Sequence, residues 1–314
     1  MSGVLGLGKV PRKIFERSVL PFIPLDKDLE LDGATIGLTA RTVIAHSPSI
    51  GVPIEALGFF AFHYAASNVA CKFGRPTHMI TGIYLPLKTK ESDLRIIAKS
   101  LGDEAKKYGV KIVAGQTATY YGLGIPFVST TCLGEQTRKV TSPHQSDVVL
   151  LIGEVGGEAV WLTNLSRGVT DDRWKKFTAL PIILALQGIE GLRLIHDVSE
   201  GGVKGALTEV LGSLGLGLSF NSADVTYADL GQSLNQDLLW APSYGTIIAV
   251  ADPESVEEIV RLCIERNIRV SRLGILKSGT GLIVDGEPVI EQTRIEIDEL
   301  YGSFKKNDVH ENHQ

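Results

Sequence analysis

Two carboxylates, a histidine and a pair of glycines stand together at His196-Asp197-Val198-Ser199-Glu200-Gly201-Gly202. Asp197 and Glu200 could ligate a cation or accept hydrogen bonds from a substrate amine, and His196 could move a proton near neutral pH. Before them runs an apolar stretch with Leu192, Leu194 and Ile195. After them, Val203, Ala206, Leu207, Val210, Leu211 and Leu214 fall on one helical face. The pattern predicts strand, glycine turn, helix. Such a turn points backbone N–H groups and the positive end of a helix at whatever lies over it, and an anion such as phosphate suits it. The competing structural reading makes Asp197 the cap of the following helix and His196 a hydrogen-bonder at a strand end. A cap alone, however, gives no reason for two glycines.

Other candidates are polar exceptions in apolar surroundings. Asn68 lies in Glu55–Phe73, an all-round apolar helix with many small residues, where His63, Ser67 and Asn68 need partners. Gly115-Gln116-Thr117 follows the strand Val110–Ala114, and Thr117 and Thr119 would share a strand face and reach phosphate. Arg41, in a strand-like run, could contact a phosphate directly. Lys9 follows Gly3, Gly6 and Gly8 in a start that reads either as an arm over a substrate or as a ragged terminus.

The chain has 314 residues, 44% of them hydrophobic and 21% charged, enough for two globular domains. Its net charge of −5 and scattered basic pairs such as Arg12–Lys13 give nucleic acid no electropositive face. Trp161, Trp174 and Trp240 form no stacking platform. Cys71, Cys132 and Cys263 are far apart and read as buried free thiols. The N-terminus lacks the segment order of a signal peptide, and no apolar run reaches the roughly 18–20 residues of a membrane span. The expected location is the cytoplasm.

The elements that must hold these residues alternate. Strands are expected at Ala34–Ala45, Thr77–Leu85, Val110–Ala114, Pro126–Leu133, Asp147–Ile152, Thr246–Val250, Val270–Leu276 and Gly281–Val284. Helices are expected at Glu55–Phe73, at Ser92–Tyr108 with Ser92 as cap, at Glu158–Leu165, at Arg173–Gln187, and after Asp252–Pro253, with Asp as cap and Pro opening the first turn. The fold class is α/β, or α+β with mixed sheets. Domains are expected at 1–140 and 141–300, with a polar, disordered tail at 301–314. GVKIVAGQT and GLRLIHDVSEGG both run into a polar-glycine turn, which suggests related halves.

HDVSEGGVKGALTEV resembles the second-domain signature of the aminoimidazole ribonucleotide (AIR) synthetase superfamily, which includes AIR synthetase (PurM), HypE-type hydrogenase maturation factors, thiamine monophosphate kinase and selenophosphate synthetase. Asp197, Gly201 and Gly202 match the motif. The start GKVPRKIFERSVLPF looks most like HypE-type chains. Ala66–Ala70 followed by Gly74 and Pro76, the KKYGVKIVAGQT strand and Ser243–Thr246 extend the likeness in order over most of residues 5–290.

The resemblance implies two α/β domains, with first-domain sheets closing into a barrel in a homodimer. It implies ATP near that barrel, Mg2+ on first-domain carboxylates, and phosphorylation of an oxygen of a small-molecule or peptide-linked substrate. Phosphate contacts would fall to Lys9, Arg41, Asn68, Gly115, Gln116, Thr117, Gly201 and Gly202, metal contacts to Asp197, Asn68 and Gln116, and catalysis to Asp197, His196 and Glu200. Where the family places acids, this chain has Leu38-Thr39-Ala40-Arg41, Asn68 and Gln116, and it ends His313-Gln314 without HypE's acceptor cysteine. Each lost charge weakens a magnesium shell by roughly several kcal/mol at short range. Two readings follow: an ATP-dependent enzyme with an altered metal shell, or a nucleotide-binding or regulatory homodimer without turnover.

Overall fold

The computed structural model describes residues 34–37, 41–229, 237–292 and 300–302. Lys9 with the glycine-rich start, residues 38–40 and the tail from Lys305 lie outside them. In chain order the elements are β1 (Ala34–Gly37), β2 (Arg41–Ile50), α1 (Ile54–Cys71), β3 (Gly74–Pro86), α2 (Glu91–Lys107), β4 (Lys111–Tyr120), β5 (Phe127–Gln136), β6 (Val148–Ile152), α3 (Gly157–Ser166), α4 (Leu180–Leu186), β7 (Leu192–Asp197), α5 (Gly202–Leu214), β8 (Leu216–Phe220), β9 (Ile247–Ala251), α6 (Val256–Glu265), β10 (Val270–Ile275), β11 (Lys277–Ser278), β12 (Gly281–Val284) and β13 (Glu287–Pro288). The chain divides into two units. The first takes in Asp32–Val140 and Thr170–Leu184, the second Thr141–Val169 and Ala185–Leu300.

In the first unit one sheet runs β1-β2-β5-β3-β4. Only β3 and β4 are parallel; the other neighbours are antiparallel. The run Ala34–Ala45, expected as a single strand, reverses instead, and Gly37 pairs with Arg41. The apolar helix α1 forms as expected and covers one face of the sheet, burying Val43, Ala45, Met79, Ile83, Val128 and Cys132. It also packs on α2 so closely that a Cβ at Gly58 would lie 2.2 Å from the Ile97 carbonyl oxygen. Ser92 does not cap α2: the N-cap position is Lys90, and Ser92 Oγ donates to Asp93 Oδ1 at 3.2 Å. β4 runs through Gly115-Gln116-Thr117 instead of ending there, so this triplet lies inside an edge strand. Arg173–Gln187, expected as one helix, is a 3-10 turn at Arg173–Lys176 followed by α4. Pro181 accounts for the break, because proline can open a helix but cannot continue one from the preceding turn.

The second unit has a sheet of order β10-β6-β9-β7 and a smaller one of order β11-β8-β12-β13. In the larger sheet every neighbour is antiparallel, so β6 and β7 point the same way with β9 between them. Its core joins Val149 and Leu151 of β6, Ile248 and Val250 of β9, Val203, Leu207 and Leu211 of α5, and Leu218 and Phe220 of β8. Asp252 caps the turn into α6 as expected, its Oδ1 accepting the Ser255 N–H at 2.9 Å. All three cysteines are buried and free, and burial pushes the Cys132 thiol up to about 12 and Cys263 to about 11. Among the described residues no helix is long and apolar enough to cross a membrane.

Candidate functional site

β6 and β7 both end at one edge of the second unit's larger sheet, where Ile152 and Asp197 each pair with Ile247. Each then turns into a helix through glycine. Gly156 is the N-cap of α3 with φ 85° and ψ 2°; Gly201 is the N-cap of α5 with φ 85° and ψ −3°. Both are left-handed, a conformation glycine adopts without strain. The turn is therefore repeated, but within the second unit. The sequence comparison with GVKIVAGQT missed this partner because Gly115-Gln116-Thr117 is strand.

The segment Leu239–Thr246 is laced between the two turns. A Cβ at Gly202 would stand 2.5 Å from the Leu239 carbonyl oxygen and 2.7 Å from that of Ala241. The Gly156 N–H donates to Ser243 Oγ at 2.8 Å, and that hydroxyl donates to the Ala241 carbonyl at 2.9 Å. The Ala159 N–H reaches the Pro242 carbonyl at 3.2 Å, and the Tyr244 N–H donates to the buried Glu158 carboxylate at 2.8 Å. Thr246 Oγ1 donates to the Glu154 carbonyl at 3.0 Å, and the Val198 N–H to the Thr246 carbonyl at 2.9 Å. This gives the glycine pair a packing reason beyond ligand approach. The Gly202 N–H also donates to the Ser199 carbonyl at 3.0 Å.

Asp197 ends β7, is 8% exposed, and does not hold the cap position, which belongs to Gly201. His196 is buried and stands 3.5 Å from Glu209 of α5, so its ring faces the helix rather than the sheet edge. Glu200 is exposed in the turn itself. Lys204, which sequence reasoning passed over, sits in the first turn of α5, paired with Asp237 at 2.5 Å and 5.9 Å above the Trp240 ring. Its signal in the sequence was a lone cation two residues past the glycine pair.

In the first unit the candidates do not converge. Asn68 Nδ2 donates to Ser47 Oγ at 3.2 Å from the α1 side of the sheet. Arg41 lies six residues up the same strand, about 20 Å along it. Ser47 pairs with Thr130, Thr130 with Thr81, and Thr81 with Gly115, one transverse row about 14 Å wide. Gln116 pairs with Gly82, so by alternation it points to the opposite face, while Thr117 and Thr119 share the α1 side with Gly115. Asn68 and Gln116 therefore supply no common magnesium site, and amides would bring no negative charge to one. Among the described residues no three His, Cys, Asp or Glu side chains gather as a metal shell. These residues do not fit a magnesium ion held by the first unit.

His63 is a site that the sequence placed only as core or interface. It is fully buried in α1, with Nε2 2.9 Å from Glu104 Oε2 and Nδ1 2.7 Å from Thr178 Oγ1. Phe59, Phe62 and Tyr108 surround the ring. Burial lowers its pKa, against the raising effect of Glu104, while the hydrogen bond from His63 holds the Glu104 carboxyl below its ordinary range. The neutral ring then donates to Glu104 and accepts from Thr178, which ties the segment ahead of α4 to α1.

Residues 30–136 match the family model for the N-terminal domain of AIR synthase related proteins, and residues 146–287 match that for the C-terminal domain. The chain is 25% identical over 219 residues to carbamoyl dehydratase HypE of Azotobacter vinelandii, covering 65% of this chain and 64% of that protein. It is also 25% identical over 223 residues to phosphoribosylformylglycinamidine synthase subunit PurL of Methanobrevibacter smithii, covering 64% of this chain and 30% of the relative. The match thus spans less than two thirds of these relatives' own length. Among solved structures, a HypE–HypF complex superposes with a TM-score of 0.72 at 18% identity, over 83% of this chain and 93% of that one. HypE in complex with ATP gives 0.70 at 18% identity, over 90% and 92%. A ThiL complex with AMPPCP and TMP gives 0.71 at 16% identity, over 83% and 89%. With both domain models matched in order along the chain, this protein belongs to the AIR synthase related family.

Proposed function

We propose that this chain is an ATP-dependent, HypE-like enzyme that transfers the γ-phosphoryl group of ATP to an oxygen of a small-molecule or peptide-linked substrate, releasing ADP. The observation that carries the reading is Asp197, a buried carboxylate at a strand end whose following helix is capped by glycine. A buried acid four residues ahead of the glycine cap supports a binding role. Lys204, in the first turn of α5, is paired with Asp237 on the far side of the glycine pair in sequence. The relatives support the nucleotide, since one solved HypE carries ATP and one ThiL an ATP analogue. When bound with the nucleotide, magnesium would neutralise phosphate charge.

Arg41, Asn68 and Gln116 favour the second reading, a nucleotide-binding or regulatory protein without turnover, because they neither converge nor carry acid. In either reading we expect a homodimer. The sheet face turned away from α1 carries Ile80 and Tyr120, 42% and 44% exposed, beside the half-buried Ile44, Tyr84 and Leu133, an apolar area suited to a second copy.

Titration calorimetry with ATP, with and without magnesium, separates the readings when combined with measurement of ADP release. Magnesium-dependent binding with slow ADP release supports the enzyme. Binding indifferent to magnesium, without release, supports the second reading, and no binding sinks both.

A further inference from the structure

In and beside the row of hydroxyls beneath α1, three buried polar atoms make no hydrogen bond to the protein: Asn68 Oδ1, Ser49 Oγ and Thr130 Oγ1. All three are buried, and Ser49 and Thr130 have no exposed surface at all. Each belongs to a neighbour of Ser47. Asn68 donates to Ser47 Oγ, Thr130 is its cross-strand partner, and Ser49 is the next residue on the same face of β2. Cross-strand partners have Cβ atoms about 5 Å apart and diagonal neighbours about 7 Å, within the span of one bridging molecule with a hydrogen bond to each side.

Donor and acceptor counting decides what that molecule is. The Asn68 carbonyl oxygen only accepts, because its amide nitrogen is already turned to Ser47. The Ser49 and Thr130 hydroxyls each bring a hydrogen in need of an acceptor. A water offers two lone pairs and two hydrogens: it accepts from both hydroxyls and donates to Asn68. A cation would take the lone pairs, strand both hydroxyl hydrogens in the core, and meet no negative charge. Buried water of this kind satisfies about three otherwise orphaned groups.

We propose that Asn68, Ser49 and Thr130 form an internal water site between the sheet and α1. The position where the family resemblance implies a metal-binding acid is thereby a neutral, solvent-bridged contact. The proposal stands independently of nucleotide binding.

The test is a crystal structure of the nucleotide-free full chain at about 1.5 Å, with parallel crystals soaked in thallium(I) and in manganese(II). The expected result is one water peak within about 3.2 Å of the three oxygen atoms and no anomalous signal there from either metal. In a crystal of Thr130→Val, which keeps the shape and removes one hydroxyl, the peak should weaken or vanish. An anomalous peak from thallium or manganese at Asn68 would overturn the proposal, as would three atoms that satisfy one another directly with no density between them. If Thr130→Val does not fold, the native and soaked crystals still decide the matter.

Discussion

Asp197 is the side chain on which the functional reading turns. Because Gly201, not Asp197, holds the N-cap of α5, Asp197→Asn should leave the melting temperature within a few degrees. Affinity for ATP in magnesium-containing buffer should fall about tenfold, the scale of one charged hydrogen bond. Unchanged calorimetric affinity together with a large loss of melting temperature would show a structural acid instead. A second residue-scale expectation concerns pH. Burial lowers the His63 pKa below its ordinary 6.5, so the unfolded chain takes up a proton there that the folded chain refuses. The sign follows: stability is unaffected by this group above about pH 7 and falls as the pH drops below 6.5. Glu104, whose carboxyl is held low chiefly by the His63 hydrogen bond, adds its own loss further down, below its ordinary 4.5. Urea midpoints of the native protein and of His63→Gln, measured at pH 7.5 and 5.5, should differ less at the lower pH. A difference that grows on acidification would exclude the assignment.

At the scale of elements, hydrophobic period located most of the fold. The all-apolar run of α1 and the helical stripe after Gly202 place both helices within a residue or two. Failures came where the deciding force is not periodic. Edge strand β4 leaves Ile112 and Val113 both exposed, so no alternation signalled its extension through Gly115-Gln116-Thr117. Arg173–Gln187 keeps a helical apolar spacing across the break, which Pro181 alone marks. Nor could sequence show that Gln116 and Asn68 face opposite sides of the sheet, which depends on a register shift between Met79 and Ile80. Gly58 permits a direct test of element packing. Adding one methyl in Gly58→Ala drives it into the α2 backbone at Ile97 and should cost about 1–3 kcal/mol, read as a lower urea midpoint. An unchanged midpoint would mean that α1 and α2 can part freely.

For the whole molecule, the family and the fold class were legible from Asp197, the glycine pair and the order of elements around them, and both domain models match. The candidate site was legible only in its second-unit half, and even there its glycines turned out to be needed for packing. Association is the property to test at this scale. Ile80→Glu puts a charge on the open sheet face and should shift light-scattering mass from dimer to monomer, with a melting temperature close to the native one if the subunit folds alone. A variant that stays dimeric would place the contact elsewhere.

The Leu239–Thr246 segment has a mechanical consequence. Gly202 rests on the carbonyls of Leu239 and Ala241, and two residues on, Ser243 accepts the Gly156 N–H that closes the other turn. One segment thus contacts both turns. A ligand that shifts the Asp197 turn would therefore press on the same segment that holds Gly156.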